Sequence, residues 1–213
     1  MNINLISISG IDGSGKSTQF ELLRKHFEIS GFKIFYLWTR GGSTPGINKL
    51  KSFLRLLAGK KLPPSGKSKQ RDKIFRNIFI QRLWVTAAIL DLMYIYIFLI
   101  RWKLMRGYKV ICDRYLWDTL IDFQIMFPEL KIEKWFIWQL LSWFSPVPVK
   151  QVLLVIPLEV SIKRCEQKYD PFPDMPEIRK KRHDLYIHAA KDGKFFVINA
   201  EQNSEDVLKE IIR

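Results

Sequence analysis

The chain has 213 residues, of which 47% are hydrophobic and 26% are charged. Such a chain buries a core of its own as one globular domain, which excludes collagen-like, disulfide-stapled and disordered classes. Its 35 Lys and Arg residues outnumber the 21 Asp and Glu residues, and the net charge of +14 predicts an anionic partner: a nucleotide, a nucleic acid or a membrane surface.

The first predicted unit is a strand, a glycine loop and a helix. Residues 3–9 form a short β-rich run, and a glycine-containing loop follows them directly. The helical pattern of residues 18–30 then ends at Gly31, because glycine is typical of helix C-termini. The next predicted elements are a strand at 33–38, a helix at about 47–58 and a basic, exposed connection at 60–73.

A long apolar helix at about 74–105 begins the second half of the predicted fold. The elements after it are a strand at 108–112, helices at 116–126 and 131–144, a strand at 151–156, helices at 158–168 and 177–191, a strand at 194–199, and a final helix with Ser204 as its N-cap. Five strands separated by helices predict an α/β fold, a parallel sheet covered on both faces. The chain shows neither an internal repeat nor a linker, so residues 1–213 are predicted to form a single domain.

The run from Leu83 to Ile100 is apolar apart from Thr86 and Asp91, and its roughly 18 residues reach the length of a transmembrane helix. A single crossing would put the glycine loop and the end of the third strand on opposite sides of a bilayer, although both are predicted to form one site. We therefore predict a buried core helix rather than a membrane span.

The expected location is the cytoplasm. The two cysteines, Cys112 and Cys165, lack the spacing of a disulfide framework or a zinc site. The N-terminus lacks a basic region and is apolar for too short a stretch to be a signal peptide.

The strongest motif is the loop from Gly10 to Ser17, GIDGSGKS, which fits the phosphate-binding pattern G-x-x-x-x-G-K-[ST] between a strand and a helix. Its glycines let backbone N–H groups face phosphates, Lys16 reaches the β- and γ-phosphate oxygens, and Ser17 supplies an oxygen to Mg²⁺. The predicted ATP-binding residues are Gly10, Asp12, Gly13, Ser14, Gly15, Lys16, Ser17 and Thr18.

Charged residues end two of the predicted strands. Asp113 and Arg114 follow the third strand and Arg40 follows the second, and the carboxyl ends of strands in an open parallel sheet face the ligand crevice. Asp113 is predicted to hold Mg²⁺ or its waters, and Arg114 to neutralise phosphate charge during transfer. A structural salt bridge is the alternative interpretation of this pair. Arg40 is predicted to bind the phosphate of the acceptor.

Four segments resemble the thymidylate kinase family of nucleoside monophosphate kinases over nearly the whole chain. They are GIDGSGKSTQ (10–19), TRGG (39–42), RGYKVICDRY (106–115), and PLEVSIKRCEQK (157–168) followed by a helix with Tyr186. The resemblance implies the P-loop NTPase fold with strand order 2-3-1-4-5, ATP with Mg²⁺ as the phosphoryl donor, and a homodimer.

The resemblance also implies residue roles. Asp12 matches the acidic residue that contacts the acceptor sugar, Arg40 and Arg114 match the arginines on the acceptor phosphate, and Asp113 matches the carboxylate on the metal side.

A mobile lid at about 164–182 is implied to cover the transferring phosphoryl group, because the loop has no arginine between Asp12 and Lys16. The lid candidates are Arg164 and Lys168, with Arg179 and Arg182 behind them. The predicted catalytic residues are Lys16, Arg114, Arg164 and Lys168.

The sequence departs from the family at the acceptor base. The phenylalanine that stacks on thymine and the arginine that reads its edge fall at Ala88 and Leu92, which can do neither. Where the family has small polar residues after the third strand, this chain has Asp118, with Asp122 one helical turn on. Two carboxylates at i and i+4 repel each other unless they bind hydroxyls, amino groups or a cation, so both are candidate acceptor-binding residues. The alternative is that they are solvated or pair with basic residues of the chain.

The aromatic segment 135–144, WFIWQLLSWF, holds too many large apolar side chains for one buried helix face. A dimer interface is the favoured interpretation. Contact with a membrane surface or a lipid-linked acceptor, helped by the basic stretch 60–73, is the alternative.

The predicted function is ATP-dependent phosphoryl transfer to a nucleoside monophosphate, most simply dTMP to dTDP. The alternative is a kinase of the same fold that phosphorylates another nucleotide, a sugar or a lipid-linked glycan. Lys16, Ser17, Asp113 and Arg114 are all present, which argues against a protein that only binds nucleotides. Nucleic-acid binding is not predicted, because net charge alone would support it.

Overall fold

The structure is a computed structural model that describes residues 4–39, 75–167 and 175–213. Its strands are β1 (Leu5–Ser9), β2 (Ile34–Trp38), β3 (Lys109–Asp113), β4 (Lys150–Val155) and β5 (Phe196–Asn199). They form one parallel sheet in the order β2-β3-β1-β4-β5. The predicted α/β fold with strand order 2-3-1-4-5 is therefore confirmed, and the strand ends differ from the predicted ones by one or two residues.

The described helices are α1 (Lys16–Ile29), α2 (Ile78–Met105), α3 (Leu116–Met126), α4 (Phe136–Phe144), α5 (Leu158–Gln167), α6 (Pro176–Lys191) and α7 (Ser204–Ile212). The helix predicted at about 47–58 and the basic stretch 60–73 lie outside the described residues.

The sheet divides the interior into two hydrophobic cores. Successive side chains of a strand point to opposite faces, so Leu5 of β1 faces α2, α3 and α4, whereas Ile6 and Ile8 face α1, α6 and α7. A central parallel strand buried on both faces reads as a continuous apolar run rather than an alternating one, and β1 is buried along its whole length.

Helix α2 is buried on one face only, so the prediction of a buried core helix is confirmed for that face alone. Val85, Ala88 and Leu92 are fully buried against the first core, whereas Phe79 and Phe98 are 71% and 65% exposed. Among the described residues, one helix, α2, is long and apolar enough by length and composition to cross a membrane, and 39% of its most apolar stretch is buried. Its exposed apolar face is a feature that hydropathy did not separate from the buried one.

A π-helical stretch, Tyr94–Ile100, interrupts α2. It buries Tyr96 completely, and the Tyr96 hydroxyl lies 2.8 Å from Thr39 Oγ1 and 3.4 Å from Thr119 Oγ1. π-Helical turns occur frequently at functional sites. Here the wider turn ties α2 to the end of β2 and to the first turns of α3.

Two predicted boundaries are wrong. The helix predicted at 131–144 begins only at Phe136, because two short 3₁₀ turns, Pro128–Leu130 and Ile132–Lys134, precede it and Lys131 adopts a left-handed conformation between them. The N-cap of α7 is Asn203 rather than Ser204, because the Asn203 side chain accepts a hydrogen bond from the Glu205 amide at 3.1 Å.

Asn203→Ala should lower the free energy of unfolding by about 1 kcal/mol, because the Glu205 amide loses its cap. Ser204→Ala is the matched control one residue on and should change stability by less than about 0.5 kcal/mol. Urea unfolding followed by circular dichroism measures both values. If Ser204→Ala lowered the free energy of unfolding more than Asn203→Ala does, Ser204 would be the N-cap instead.

Candidate active site

The loop between β1 and α1 adopts a conformation that favours glycine, because Gly10, Gly13 and Gly15 all have positive φ. Gly10 has φ 146°, and a Cβ there would lie 2.6 Å from Ser14 Oγ and 2.7 Å from the Leu154 carbonyl oxygen. Gly15, at the start of α1, has a left-handed φ of 94°. The turn therefore places the backbone N–H groups that begin α1 at its open end, where the partial positive charge of the helix favours an anion.

Lys16 folds back over this loop. Its ammonium donates to the carbonyl oxygens of Gly10 and Ile11, each at 3.0 Å. Burial and the charge of Arg114 lower the pKa of Lys16 to about 8, although Asp12 and Asp113 act in the opposite direction. Such a lysine gains more from an anion than one that is already neutralised by its surroundings.

Helix α5 supports the loop from below. The Ser161 hydroxyl donates to the Asp12 carbonyl oxygen at 2.6 Å. Arg164 donates to the carbonyl oxygens of Gly13 at 3.2 Å and Ala200 at 3.4 Å. The structure thus brings the predicted catalytic Arg164 against the phosphate loop. Lys168 lies outside the described residues.

Arg114 lies across from the loop with one donor group spare. Its Nη2 atom donates to Asp12 Oδ1 at 3.1 Å, and its side chain is 4% exposed. Its Nη1 atom is buried and has no hydrogen-bond partner within the ranges 4–39, 75–167 and 175–213. A buried guanidinium donor without a protein partner is costly unless a ligand satisfies it, so this atom is the donor that a bound anion would satisfy.

Asp113 precedes Arg114 and uses only one of its two carboxylate oxygens within the described chain. Its Oδ2 atom accepts from the Tyr36 hydroxyl at 3.0 Å, while Oδ1 is buried and has no partner in the described part of the chain. Ser17 is exposed on the first turn of α1. Among the described residues no group of three or more His, Cys, Asp or Glu side chains could hold a metal ion. Mg²⁺ takes one or two carboxylates plus phosphates and waters, which is the donor chemistry that Asp113 and Ser17 offer, so a Mg²⁺ site at these residues stays a prediction.

The two candidate acceptor carboxylates are buried and already have protein partners. Asp118 accepts hydrogen bonds from Ser9, Tyr115 and Tyr186. Asp122 forms an ion pair with Arg182 of α6. For Asp122 the structure therefore agrees with the alternative interpretation, in which the carboxylate pairs with a basic residue of the chain. Direct contact of either carboxylate with an acceptor stays a prediction.

Of the remaining predicted positions, one lies outside the described residues and four are described. Arg40 lies outside the described residues, next to the buried Thr39. Arg179 and Arg182 are buried on α6 rather than placed over the loop. Ala88 and Leu92 are fully buried in the core, so neither lines an open pocket.

Two residues that support the site escaped sequence reasoning. Tyr36, which donates to Asp113, and Ser161, which donates to the loop, sit within an ordinary strand and an ordinary helix. The parallel pairing of β2 with β3 puts Trp38 beside Asp113. Strand alternation then places Tyr36, two residues before Trp38, on the same face, so the register could have indicated it.

The family model for thymidylate kinase matches residues 8–211 of the chain. The chain belongs to the thymidylate kinase family. It is 28% identical over 211 residues to "Probable thymidylate kinase 1" of Saccharolobus solfataricus, covering 98% of this chain and 95% of that protein. It is 29% identical to "Probable thymidylate kinase" of Methanocaldococcus jannaschii, covering 97% and 93%. It is 25% identical to "Thymidylate kinase" of Sulfurihydrogenibium sp., covering 97% and 94%.

Membership of the thymidylate kinase family makes the chain a phosphotransferase that uses ATP and acts on a nucleotide. The family match includes every described residue of the loop from Gly10 to Thr18. It also includes the corner at Asp113 and Arg114.

Nucleotide binding by this thymidylate kinase homologue should take up a proton above pH 8. The free Lys16 has a pKa of about 8, and bound phosphates raise it, so between the free and bound values ATP affinity falls as pH rises, by up to about tenfold per pH unit. Titration calorimetry at pH 9 in two buffers of different ionisation enthalpy measures the uptake. Lys16→Met keeps most of the length of the side chain but loses its charge, so this variant should bind ATP more weakly and without the proton uptake. Equal proton uptake by the variant would contradict the assignment.

Proposed function

We propose that the chain transfers the γ-phosphoryl group of ATP to dTMP, giving dTDP and ADP. The observation that carries the proposal is the buried Arg114 guanidinium, which pairs with Asp12 of the phosphate loop and keeps one donor without a partner among the described residues, in a chain matched by the thymidylate kinase family over residues 8–211. Two phosphate-bearing substrates require cationic groups for both phosphates, and Lys16 and Arg114 supply them in this proposal.

The proposed reaction is an in-line transfer without a covalent intermediate. The loop N–H groups and Lys16 bind the β- and γ-phosphates of ATP, and Arg114, with Arg40, holds the acceptor phosphate. Asp12 pairs with Arg114 at 3.1 Å and so orients it, and it also reaches the acceptor sugar in this proposal. Catalysis then rests on positioning and electrostatic stabilisation, because the transferring group gives the protein little covalent work.

Mg²⁺ is proposed to be held by Ser17 and Asp113. The buried, unpartnered Oδ1 atom of Asp113 supports this role within the described chain. The ion supplies charge neutralisation at the β- and γ-phosphate oxygens when it is bound.

Residues 164–182 are proposed to form a lid within a single domain that spans residues 1–213. Arg164, placed 3.2 Å from the Gly13 carbonyl oxygen, supports the start of that segment as a part of the donor site. Arg164 and Lys168 are the proposed catalytic residues of the lid. The buried Arg179 and Arg182 act instead as the anchor of its far end.

The alternative acceptors, another nucleotide, a sugar or a lipid-linked glycan, are not favoured by the family comparisons. The buried Ala88 and Leu92 leave the contact with thymine to other residues. The location that fits soluble substrates of this kind is the cytoplasm.

The exposed face of α2 supports a homodimer. Phe79, Leu83, Leu90, Tyr94 and Phe98 recur at spacings that keep them on one side of the helix, and each is more than half exposed. Phe136 and Trp143 add exposed aromatic surface on α4, which packs beside α2. A contiguous apolar surface of this kind is typical of an interface rather than of a solvated face.

Arg114→Ala should lower kcat for dTMP by about 10² or more while leaving ATP affinity within about threefold, because the acceptor phosphate loses its buried donor. Coupled ADP release with a panel of nucleoside monophosphates and sugars measures kcat, and calorimetry measures ATP affinity. The control is Arg24→Ala, an exposed arginine of α1. If the wild type released no ADP with any nucleoside monophosphate although it binds ATP, dTMP would not be the acceptor.

The wild-type chain, at 25.3 kDa, should sediment as a species of twice that mass. Leu83→Glu with Phe98→Glu should give monomers, because two buried charges without partners oppose association. Ile29→Glu, at an 88% exposed position on α1, is the matched control and should stay dimeric. A monomeric wild type that co-sediments with anionic vesicles would instead assign this face to a membrane surface.

A further inference from the structure

The backbone turns sharply at Arg114, between β3 and α3. Arg114 has φ 75°, one of two left-handed conformations at non-glycine residues in the described chain. A long side chain adopts this conformation only where its surroundings impose it. The guanidinium position therefore depends on whatever holds this corner.

Three hydrogen bonds hold the corner. The Arg114 amide donates to the Ile8 carbonyl oxygen at 3.0 Å, and the Arg114 carbonyl oxygen accepts from the Thr39 hydroxyl at 3.2 Å. The next amide, that of Tyr115, donates to Asp118 Oδ2 at 2.8 Å. Asp118 is thus the side chain at the third position of α3 that closes its N-terminal turn, as a capping-box residue does.

The same carboxylate joins two further elements. Ser9, the last residue of β1 before Gly10, donates to Asp118 Oδ2 at 2.7 Å. Tyr186 of α6 donates to Asp118 Oδ1 at 2.5 Å. These partners lie 109 and 68 residues away in the sequence. Asp118 therefore fixes the corner at Arg114 relative to the start of the phosphate loop.

The partners around Asp118 suit an ionised carboxylate. Burial raises the pKa of Asp118, and the charge of Arg114 with the donors Tyr186, Tyr115 and Ser9 opposes that rise. Burial raises the pKa of Tyr186 well above its ordinary value, and the neighbouring Asp118 raises it further, so its hydroxyl keeps the proton that it donates. With three donors on two oxygens and 1% exposure, the carboxylate is engaged by the protein itself.

We propose that Asp118 is a positioning residue for phosphoryl transfer: it holds the left-handed corner that places the Arg114 guanidinium opposite the phosphate loop. This inference rests on the proposed function for its kinetic consequence. It differs from the predicted role of Asp118 as an acceptor ligand, because the carboxylate acts through Arg114 and touches no substrate.

Two variants separate geometry from charge. Asp118→Asn can keep all three contacts, because its carbonyl oxygen accepts from Tyr115 and Ser9 while its amide donates to the Tyr186 hydroxyl. Asp118→Ala removes all three. Since a displacement of a binding group by about 1 Å costs on the order of 10²-fold in rate, Asp118→Ala should lose about that factor in kcat, and Asp118→Asn should lose less than about fivefold. The KM for ATP should stay within about threefold in both.

A double-mutant cycle tests the route through Arg114. In an Arg114→Lys background, which keeps the charge but loses the planar fork, Asp118→Ala should cost less than about threefold in kcat. The same loss in both backgrounds would overturn the proposal, as would equal damage from Asp118→Asn and Asp118→Ala. Val207→Ala, a core variant of α7 remote from the site, controls for general loss of stability.

Crystal structures of the two variants give a readout that does not depend on the acceptor. The left-handed φ of Arg114 should persist in Asp118→Asn and be lost in Asp118→Ala, with displacement of the guanidinium. An unchanged corner in Asp118→Ala would overturn the proposal even if dTMP is phosphorylated. A wild type inactive on dTMP would instead contradict the proposed function and leave this structural test decisive for Asp118.

Discussion

The site depends on holding the buried guanidinium of Arg114 and the half-buried ammonium of Lys16 close together before any anion arrives. Lys16 and Arg114 repel each other, and burial together with this repulsion lowers the pKa of Lys16. Asp12 offsets part of the cost through its contact with Arg114 at 3.1 Å. The offset is incomplete, since one Arg114 donor has no partner in the described chain. A ligand with several negative oxygens supplies what is lacking, so the same electrostatic strain that burdens the free protein favours phosphate binding.

The sheet is what allows this arrangement. Strands β1 and β3 are neighbours in a parallel pair, so the loop after β1 and the corner after β3 leave the same edge. The residues that brace the two segments come from elsewhere: Ser161 from α5 and Tyr186 from α6. Helices α5 and α6 thus hold the loop after β1 and the corner after β3, each through a hydrogen bond between residues that are far apart in the sequence.

The sequence predicted local features well and mutual contacts poorly. The loop from Gly10 to Ser17 could be identified because its glycines and Lys16 serve one ligand through adjacent backbone. The strand order followed from the family resemblance, and the sheet confirms it. The contacts of Ser161 with Asp12, and of Asp118 with Ser9 and Tyr186, could not be predicted in this way, because no spacing rule relates residues that meet only after the sheet is assembled. Hydropathy likewise gave the length of α2 but averaged its buried face with its exposed one, since the exposed side is as apolar as the core side.

Asp118 shows how a departure from a family pattern can serve the same geometry by other means. The family resemblance leads one to expect a small polar side chain at this position. A carboxylate accepts three hydrogen bonds here, from β1, from the α3 terminus and from α6. Burying its charge is unfavourable on its own, and the neighbouring Arg114 compensates part of that cost. Arg114 therefore also makes the buried carboxylate tolerable, and in the proposed role the carboxylate holds the corner at Arg114. Loss of the carboxylate in Asp118→Ala removes the hydrogen bonds that hold the corner, whereas the amide of Asp118→Asn can keep them and lose only the charge.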